Sequence, residues 1–143
     1  MVRVLVIDDE PDVILLCRVN LEFEGHEVLE AGSGEAGLAI AEREVPDLIV
    51  LDIMLPRQDG FSVLRQLHER ESTKDIPVVL LTAKAREDDQ MRGWRTGADE
   101  YVTKPFSPVA LTEAVARVAG MTPEERAARR RKHLDQLSLL HRL

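Results

Sequence analysis

Short apolar runs alternate along the chain with longer stretches in which apolar residues recur at helical spacing. The runs VLVI, LIVL and VVLL contain no polar position, which is typical of strands buried on both faces of a parallel sheet. From this pattern we predict five strands, over residues 2–7, 27–31, 47–51, 78–81 and 100–102. Helical stretches separate these strands, so the pattern predicts a doubly wound α/β domain with helices on both faces of a five-stranded parallel sheet.

The stretches between the strands carry residues that begin and end helices. Helices are predicted over residues 11–25, 33–44, 61–70, 86–95 and 107–120. Prolines and N-cap residues mark several of the starts, and glycines or a following proline mark the ends. The inner face of the first helix is predicted to carry Val13, Leu16 and Phe23, with Val19 or Asn20 between them.

A further helix is predicted in residues 121–143, which we treat as a C-terminal helical extension of a domain formed by residues 1–120. It begins with a capping box made by Thr122 and Glu125. Its apolar stripe comprises Leu134, Leu137 and Leu140, and it carries six basic and three acidic side chains. Two interpretations remain open: a solvated helix, or a docking or dimer-forming helix with its leucines against a partner and its arginines outward. Direct nucleic-acid binding is not expected from a segment without aromatic residues or a recognition-helix fold.

Composition narrows the class of protein. The chain has 143 residues, 44% of them hydrophobic and 31% charged, with a net charge of −7, which is typical of one acidic globular domain. No apolar run approaches the length of a membrane span, and no basic segment precedes an apolar signal core, so we expect a cytoplasmic protein without membrane contact. Cys17 is the only cysteine, which excludes an intrachain disulfide and a cysteine metal cluster.

Polar side chains directly follow four of the predicted strands. Because the carboxyl ends of parallel strands meet at one edge of the sheet, we expect these side chains to lie together. They are Asp8, Asp9, Asp52, Thr82 and Lys104. Crowded carboxylates repel one another unless a cation neutralises them, and hard oxygen ligands suit Mg²⁺. The cluster therefore predicts a magnesium site with an anionic partner, in which the lysine and the hydroxyl contact phosphoryl oxygens.

Four blocks of sequence carry a resemblance to a known family. VLVIDDEP, DLIVLDIMLPRQDGF, PVVLLTAK and GADEYVTKPF resemble the signature blocks of the response-regulator receiver domain of two-component signalling, over about residues 2–119. The resemblance implies the strand order 2-1-3-4-5 and makes Asp52 the phosphoryl acceptor. It further implies three sets of functional residues: the Mg²⁺ ligands Asp8, Asp9, Asp52 and the Met54 carbonyl; the phosphoryl-binding residues Thr82 and Lys104; and the switch pair Thr82 and Tyr101. The resemblance also implies a cis peptide bond at Pro105.

The function implied by this resemblance is a phosphorylation-dependent switch and not an enzyme acting on a separate substrate. A sensor histidine kinase supplies the phosphoryl group, and the surface of the fourth helix, fifth strand and fifth helix then controls a downstream protein or a homodimer. Arg86, Glu100 and Arg117 resemble, in part, the salt-bridging face of dimerising transcription-factor receivers. The sequence leaves open whether the chain is a stand-alone receiver or part of a longer protein.

A glycine pattern suggests a different site. Gly32, Gly34 and Gly37 have the spacing of a dinucleotide-binding fingerprint, and Asp52 follows Gly32 by twenty positions. Asp52 is already assigned to the magnesium site, and the glycines follow an edge strand in the receiver-like order, away from the point where the winding reverses. We therefore interpret them as a turn and a helix start.

Two rival functions are compatible with some of these residues. A phosphatase with an aspartate nucleophile would also use Mg²⁺, but its acids flank one residue, whereas Asp8 and Asp9 are adjacent; hydrolysis of a generic phosphomonoester separates the two. A receiver-shaped adaptor that never meets phosphate would bind its partner equally well after Asp52→Asn.

Overall fold

A computed structural model of the chain describes residues 1–82, 92 and 95–142. The helix predicted over 86–95 lies largely outside the described residues. Within the described ranges, no helix combines the length and the apolarity needed to cross a membrane.

Five parallel strands form one sheet in the order β2-β1-β3-β4-β5, as predicted. The strands are β1 (Arg3–Ile7), β2 (Glu27–Ala31), β3 (Leu48–Asp52), β4 (Val78–Thr82) and β5 (Glu100–Thr103). The order reverses beside β1, because β2 pairs with one edge of β1 and β3 with the other. A crevice at such a reversal, at the carboxyl ends of the strands, is where ligands bind in doubly wound sheets.

Five helices are described in full. They are α1 (Pro11–Phe23), α2 (Gly34–Glu44), α3 (Gly60–Glu69), α4 (Pro108–Ala119) and α5 (Pro123–Arg142). Ser33 caps α2 by accepting a hydrogen bond from Ala36 N, and Ser107 caps α4 in the same way through Ala110 N. Each cap satisfies one of the backbone N–H groups that a helix start leaves without a partner.

The core consists of two apolar layers, one on each face of the sheet. Alternate residues of each strand point to opposite faces, so Leu5 packs with α2 and α3 while Val4 packs with α1 and α4. β1, β3 and β4 are covered on both sides, which explains why their runs contain no polar alternation. The two layers fix the strand ends, and with them the side chains of the crevice.

The inner face predicted for α1 is wrong except at Val13, which packs against the apolar layer. The side chains that the sheet buries are Cys17 and Leu21, whereas Val19 is 57% and Phe23 is 88% exposed. This helix is apolar around most of its circumference, so periodicity alone does not select the face that meets the sheet.

The C-terminal helix α5 folds back onto the domain with three of its arginines inward. The predicted capping box is present: Glu125 N donates to Thr122 Oγ1 and Thr122 N donates to Glu125 Oε1, each at 3.1 Å. Arg126 is only 7% exposed, and Leu137 is buried while Leu140 is exposed. Both earlier interpretations of the extension are therefore wrong on the arginines, because three of them, Arg126, Arg129 and Arg130, meet acidic or carbonyl groups of the domain.

Candidate functional site

Two buried carboxylates and one lysine meet where β1, β3 and β5 end. Asp8 is 0% and Asp52 is 2% exposed. Lys104 Nζ lies 2.9 Å from Asp8 Oδ2 and 3.3 Å from Asp52 Oδ2. The pairing register places Ile7 beside Leu51, so the residues that follow them, Asp8 and Asp52, reach the same level of the sheet.

The electrostatics of this group show an excess of negative charge. Burial raises the pKa of Asp8, and the neighbouring charge of Asp52 raises it further, against the opposing effects of a hydrogen bond from Glu10 N and of Lys104. Burial would lower the pKa of Lys104, but Asp8 and Asp52 outweigh it and the pKa is raised. The lysine is therefore a permanent cation, and the cluster still favours further positive charge.

The loop after β3 is held tightly against the start of α3. Met54 N donates to Asp52 Oδ1 at 3.0 Å, and Gly60 N donates to Ile53 O at 2.8 Å. Gly60 is buried against this loop, and a Cβ there would lie 2.4 Å from the Asp52 carbonyl oxygen. Only a residue without a side chain allows α3 to begin so close to the Asp52 backbone.

Thr82 and Lys104 approach each other from neighbouring strands. Thr82 pairs with Thr103 in the register of β4 and β5, its side chain is buried, and its carbonyl oxygen accepts a hydrogen bond from Lys104 N. The peptide bond between Lys104 and Pro105 is cis, as the resemblance implied. Tyr101 is half-buried against the apolar layer that contains α3.

The acidic residues could hold a divalent cation. Carboxylate oxygens of Asp8, Asp9, Glu10 and Asp52 all lie within 4.8 Å of one another. Asp8 Oδ2 is buried and pairs with the Lys104 cation 2.9 Å away, and a carboxylate oxygen with one such partner can still accept a metal ion. Such an oxygen beside partly exposed carboxylates fits Mg²⁺, which takes one or two protein carboxylates and retains several waters.

Glu10 is a member of this cluster that the sequence analysis missed. Its Oε1 lies 3.4 Å from Lys104 Nζ. The signal was the unbroken acidic run Asp8, Asp9, Glu10 directly after β1. The sequence analysis assigned only the first two of these acids to the magnesium site.

The three residues predicted for a partner face have different outcomes. Arg86 lies outside the described residues. Glu100 and Arg117 form an ion pair within the chain, with Arg117 Nη1 2.5 Å from Glu100 Oε2. Arg129 of α5 contacts the same oxygen at 2.7 Å. Burial would raise the pKa of Glu100, but its hydrogen bond with Arg129 and the neighbouring cationic charge outweigh burial and lower it.

Comparison with known proteins assigns the chain and its fold to a family. The family model described as the response regulator receiver domain matches residues 4–116. The chain belongs to the response regulator receiver family. The chain is 30% identical to a protein of Chloroflexus aurantiacus whose crystal structure is known. The match covers 84% of this chain and 98% of that chain, and the two structures superpose with a TM-score of 0.80.

Two curated relatives differ in how much of their own length this chain matches. The chain is 42% identical over 139 residues to the "DNA-binding dual master transcriptional regulator RpaA" of Synechocystis, covering 96% of this chain and 56% of that protein. It is 39% identical over 118 residues to the "Protein PilH" of Pseudomonas aeruginosa, covering 82% of this chain and 98% of that protein. The chain thus spans about half the length of the first curated relatives it matches, and nearly all of PilH.

The glycine pattern has the structure of a turn and a helix start. Gly34 begins α2, and Gly37 packs against the side chain of Ile7, where a Cβ would lie 2.4 Å from Cδ1. Gly37 therefore allows α2 to approach β1 closely, and Asp52 belongs to the carboxylate cluster.

Proposed function

We propose that Asp52 accepts a phosphoryl group from a phosphohistidine of a sensor histidine kinase. The observation that carries the proposal is the buried pair of carboxylates, Asp8 and Asp52, bridged by Lys104 at the point where the strand order reverses. A carboxylate oxygen of Asp52 attacks phosphorus in line, so that the phosphorus–oxygen bond forms as the phosphorus–nitrogen bond breaks and neutral imidazole leaves.

The surrounding side chains have separate roles in this transfer. Asp8, Asp9, Asp52 and the Met54 carbonyl would hold Mg²⁺, with Glu10 near enough to contribute through water. When bound, the ion neutralises charge that develops on the phosphoryl oxygens. Lys104 supplies a fixed positive charge for the same oxygens, and burial around it strengthens that interaction. The raised pKa of Lys104 supports this role, because the charge persists over the physiological range.

The response of the fold is proposed to start at Thr82. Its hydroxyl moves toward the new phosphoryl group, and Tyr101 takes the space that it leaves. Both residues lie on adjacent strands, with Leu80 paired to Tyr101 and Thr82 to Thr103. The face that includes β5 and α4, which is the fifth of the predicted helices, then changes shape. This change alters its binding to a downstream protein or to a second copy. The cytoplasmic location expected from the sequence remains a prediction.

The related receiver domain of sensor histidine kinase PA1611 from Pseudomonas aeruginosa supports the magnesium assignment. Its structure has a "magnesium ion coordinated in the active site cleft", is 28% identical to this chain and superposes with a TM-score of 0.77, covering 84% of this chain and 98% of that one. The acidic cluster of this chain occupies the crevice in which a doubly wound fold binds ligands.

The test is phosphoryl transfer to matched variants. The unaltered chain, Asp52→Asn and Asp12→Asn are incubated with a phosphorylated histidine kinase or a small acyl phosphate donor, with Mg²⁺ or with chelator. Asp12 is an exposed acid in the first turn of α1 and controls for the loss of one charge. We expect an acyl phosphate, detected by intact mass and removed by hydroxylamine, in the unaltered chain and in Asp12→Asn, only with Mg²⁺.

Two results would contradict the proposal. Labelling of Asp52→Asn at the rate of the control would assign the acceptor to another residue, and absence of labelling in the unaltered chain would exclude the phosphoacceptor role. Sustained hydrolysis of a phosphomonoester would instead favour the phosphatase.

A further inference from the structure

The amino end of β5 carries two acids whose oxygens are all engaged. We call Asp99 and Glu100 the acidic ledge. Asp99 is 3% exposed; its Oδ2 accepts from Val78 N at 2.9 Å, and its Oδ1 lies 2.5 Å from Arg130 Nη1. Glu100 Oε1 accepts from Tyr101 N at 3.2 Å, and its Oε2 contacts both Arg117 and Arg129.

The cations on the ledge come mainly from α5. Arg129 forks across it, with Nη1 donating to the Asp99 carbonyl and Nη2 to the Glu100 carboxylate. Arg126 places its Nε 3.4 Å from Asp99 Oδ1, and its Nη2 donates to the Asp75 carbonyl. Three arginines within residues 126–130 of α5 therefore engage both main-chain and side-chain oxygens. This geometry suits planar guanidinium groups.

The remaining cation, Arg117, forms a pair with Glu100 that could be exchanged between molecules. Both residues lie on one face, one on β5 and the other on α4. In a two-fold symmetric interface, Glu100 of each copy can pair with Arg117 of the other copy. The interface then contains two identical ion pairs. Arg129 weakens that exchange, because it already neutralises the Glu100 carboxylate, so an Arg117 arriving from a second copy gains less by pairing with it.

We propose that the acidic ledge is an arginine-binding surface whose occupant is α5 of the same chain, and that α5 thereby keeps this face from a second copy. The proposal rests on the partner face given under the proposed function and adds a restraint to it. Arg126 is the buried anchor, whereas Arg129 and Arg130, whose side chains are 20% and 23% exposed, form the releasable part of the contact. Only three residues, 120–122, connect α4 to α5, so the docked helix stays close to the ledge.

The test compares two double variants of the full chain with equal charge change. The ledge variant is Arg129→Ala with Arg130→Ala; the control is Arg131→Ala with Lys132→Ala on the exposed side of the same helix. Arg126 is left intact, so the buried contact with Asp99 is retained. Hydrogen exchange reports the docking of α5, and sedimentation equilibrium reports the dimer dissociation constant, with and without beryllofluoride and Mg²⁺.

The expected result has two parts. In the ledge variant, α5 amides exchange at least tenfold faster and the dimer dissociation constant falls at least tenfold, whereas the control behaves as the unaltered chain. Adding Glu100→Gln to the ledge variant should abolish the gained association, since the dimer contact requires that carboxylate. Unchanged exchange of α5 would overturn the arginine-binding assignment, and faster exchange without tighter association would overturn the exclusion of a second copy.

A separate measurement tests the proposed phosphoacceptor role of Asp52. Binding of beryllofluoride is observed by fluorine NMR, and its absence in the unaltered chain would refute the acceptor role of Asp52. The exchange and sedimentation measurements made without the ligand would still decide whether α5 occupies the ledge and excludes a second copy.

Discussion

Replacing Gly60 by alanine should disturb both the stability of the domain and the position of Asp52. The added Cβ would lie 2.4 Å from the Asp52 carbonyl oxygen, 2.5 Å from Ile53 Cα and 2.8 Å from Ile53 O. These are backbone atoms, which cannot rotate away as a side chain can. Ordinary contact begins at 3.4 Å, so α3 or the loop must move by about 1 Å, the difference between 3.4 Å and 2.4 Å.

The size of the effect follows from this displacement. Inserting a methyl group into a packed site costs about 1 to 3 kcal/mol. With a typical urea dependence for a small domain, the unfolding midpoint should fall by about 1 M. A displacement of about 1 Å in a reacting group can also reduce the rate of a positioned reaction by about 100-fold. Phosphorylation of Asp52 by a small acyl phosphate donor should therefore slow by up to this factor.

Gly32→Ala is the matched control for this experiment. A Cβ at Gly32 meets no heavy atom within 4 Å, so the free energy of unfolding of this variant should change by less than about 0.5 kcal/mol. Urea unfolding followed by circular dichroism and phosphorylation followed by intact mass give the two readouts. If Gly60→Ala unfolds and reacts like the control, the close approach of α3 to the Asp52 backbone is refuted.

Three other predictions follow from the electrostatics. The pKa of Glu100 is lowered in the fold, so its contact with α5 stabilises fully above the ordinary pKa range of glutamate and is lost as the pH falls through the lowered value. Amide exchange of α5 should therefore accelerate below about pH 4, and an exchange rate that does not depend on pH-driven loss of this contact would contradict the prediction. Burial, and then the charge of Asp8, raise the pKa of Cys17 to about 12, so a thiol reagent should label it only in denaturant; rapid labelling of the native chain would show that the thiol is accessible. Mg²⁺ at ten times its dissociation constant should stabilise the chain by about 1.4 kcal/mol, and chelator or Asp9→Asn should remove this gain in a thermal melt; an equal gain in the variant would exclude Asp9 as a ligand.

Much of the site could be predicted because the sequence shows where each strand ends. The polar residue that ends each apolar run, as Asp52 ends LIVL, must emerge at the carboxyl edge of a parallel sheet, whatever the helices do. The strand order completed the prediction through the family resemblance, since it brings β1, β3 and β5 to one crevice. Glu10 was missed because an acid that opens a helix also has an ordinary capping role.

The sequence by itself therefore determined the alternation of strands and helices, the two-layer core and the set of side chains at the crevice. Only the tertiary structure decided which face of α1 is buried and what the arginines of α5 contact. The physical reason is the same in both cases. A helix that is apolar or basic around most of its circumference has several equivalent faces, and the choice depends on the partner surface: the sheet selects Cys17 and Leu21, and the acidic ledge selects Arg129 and Arg130.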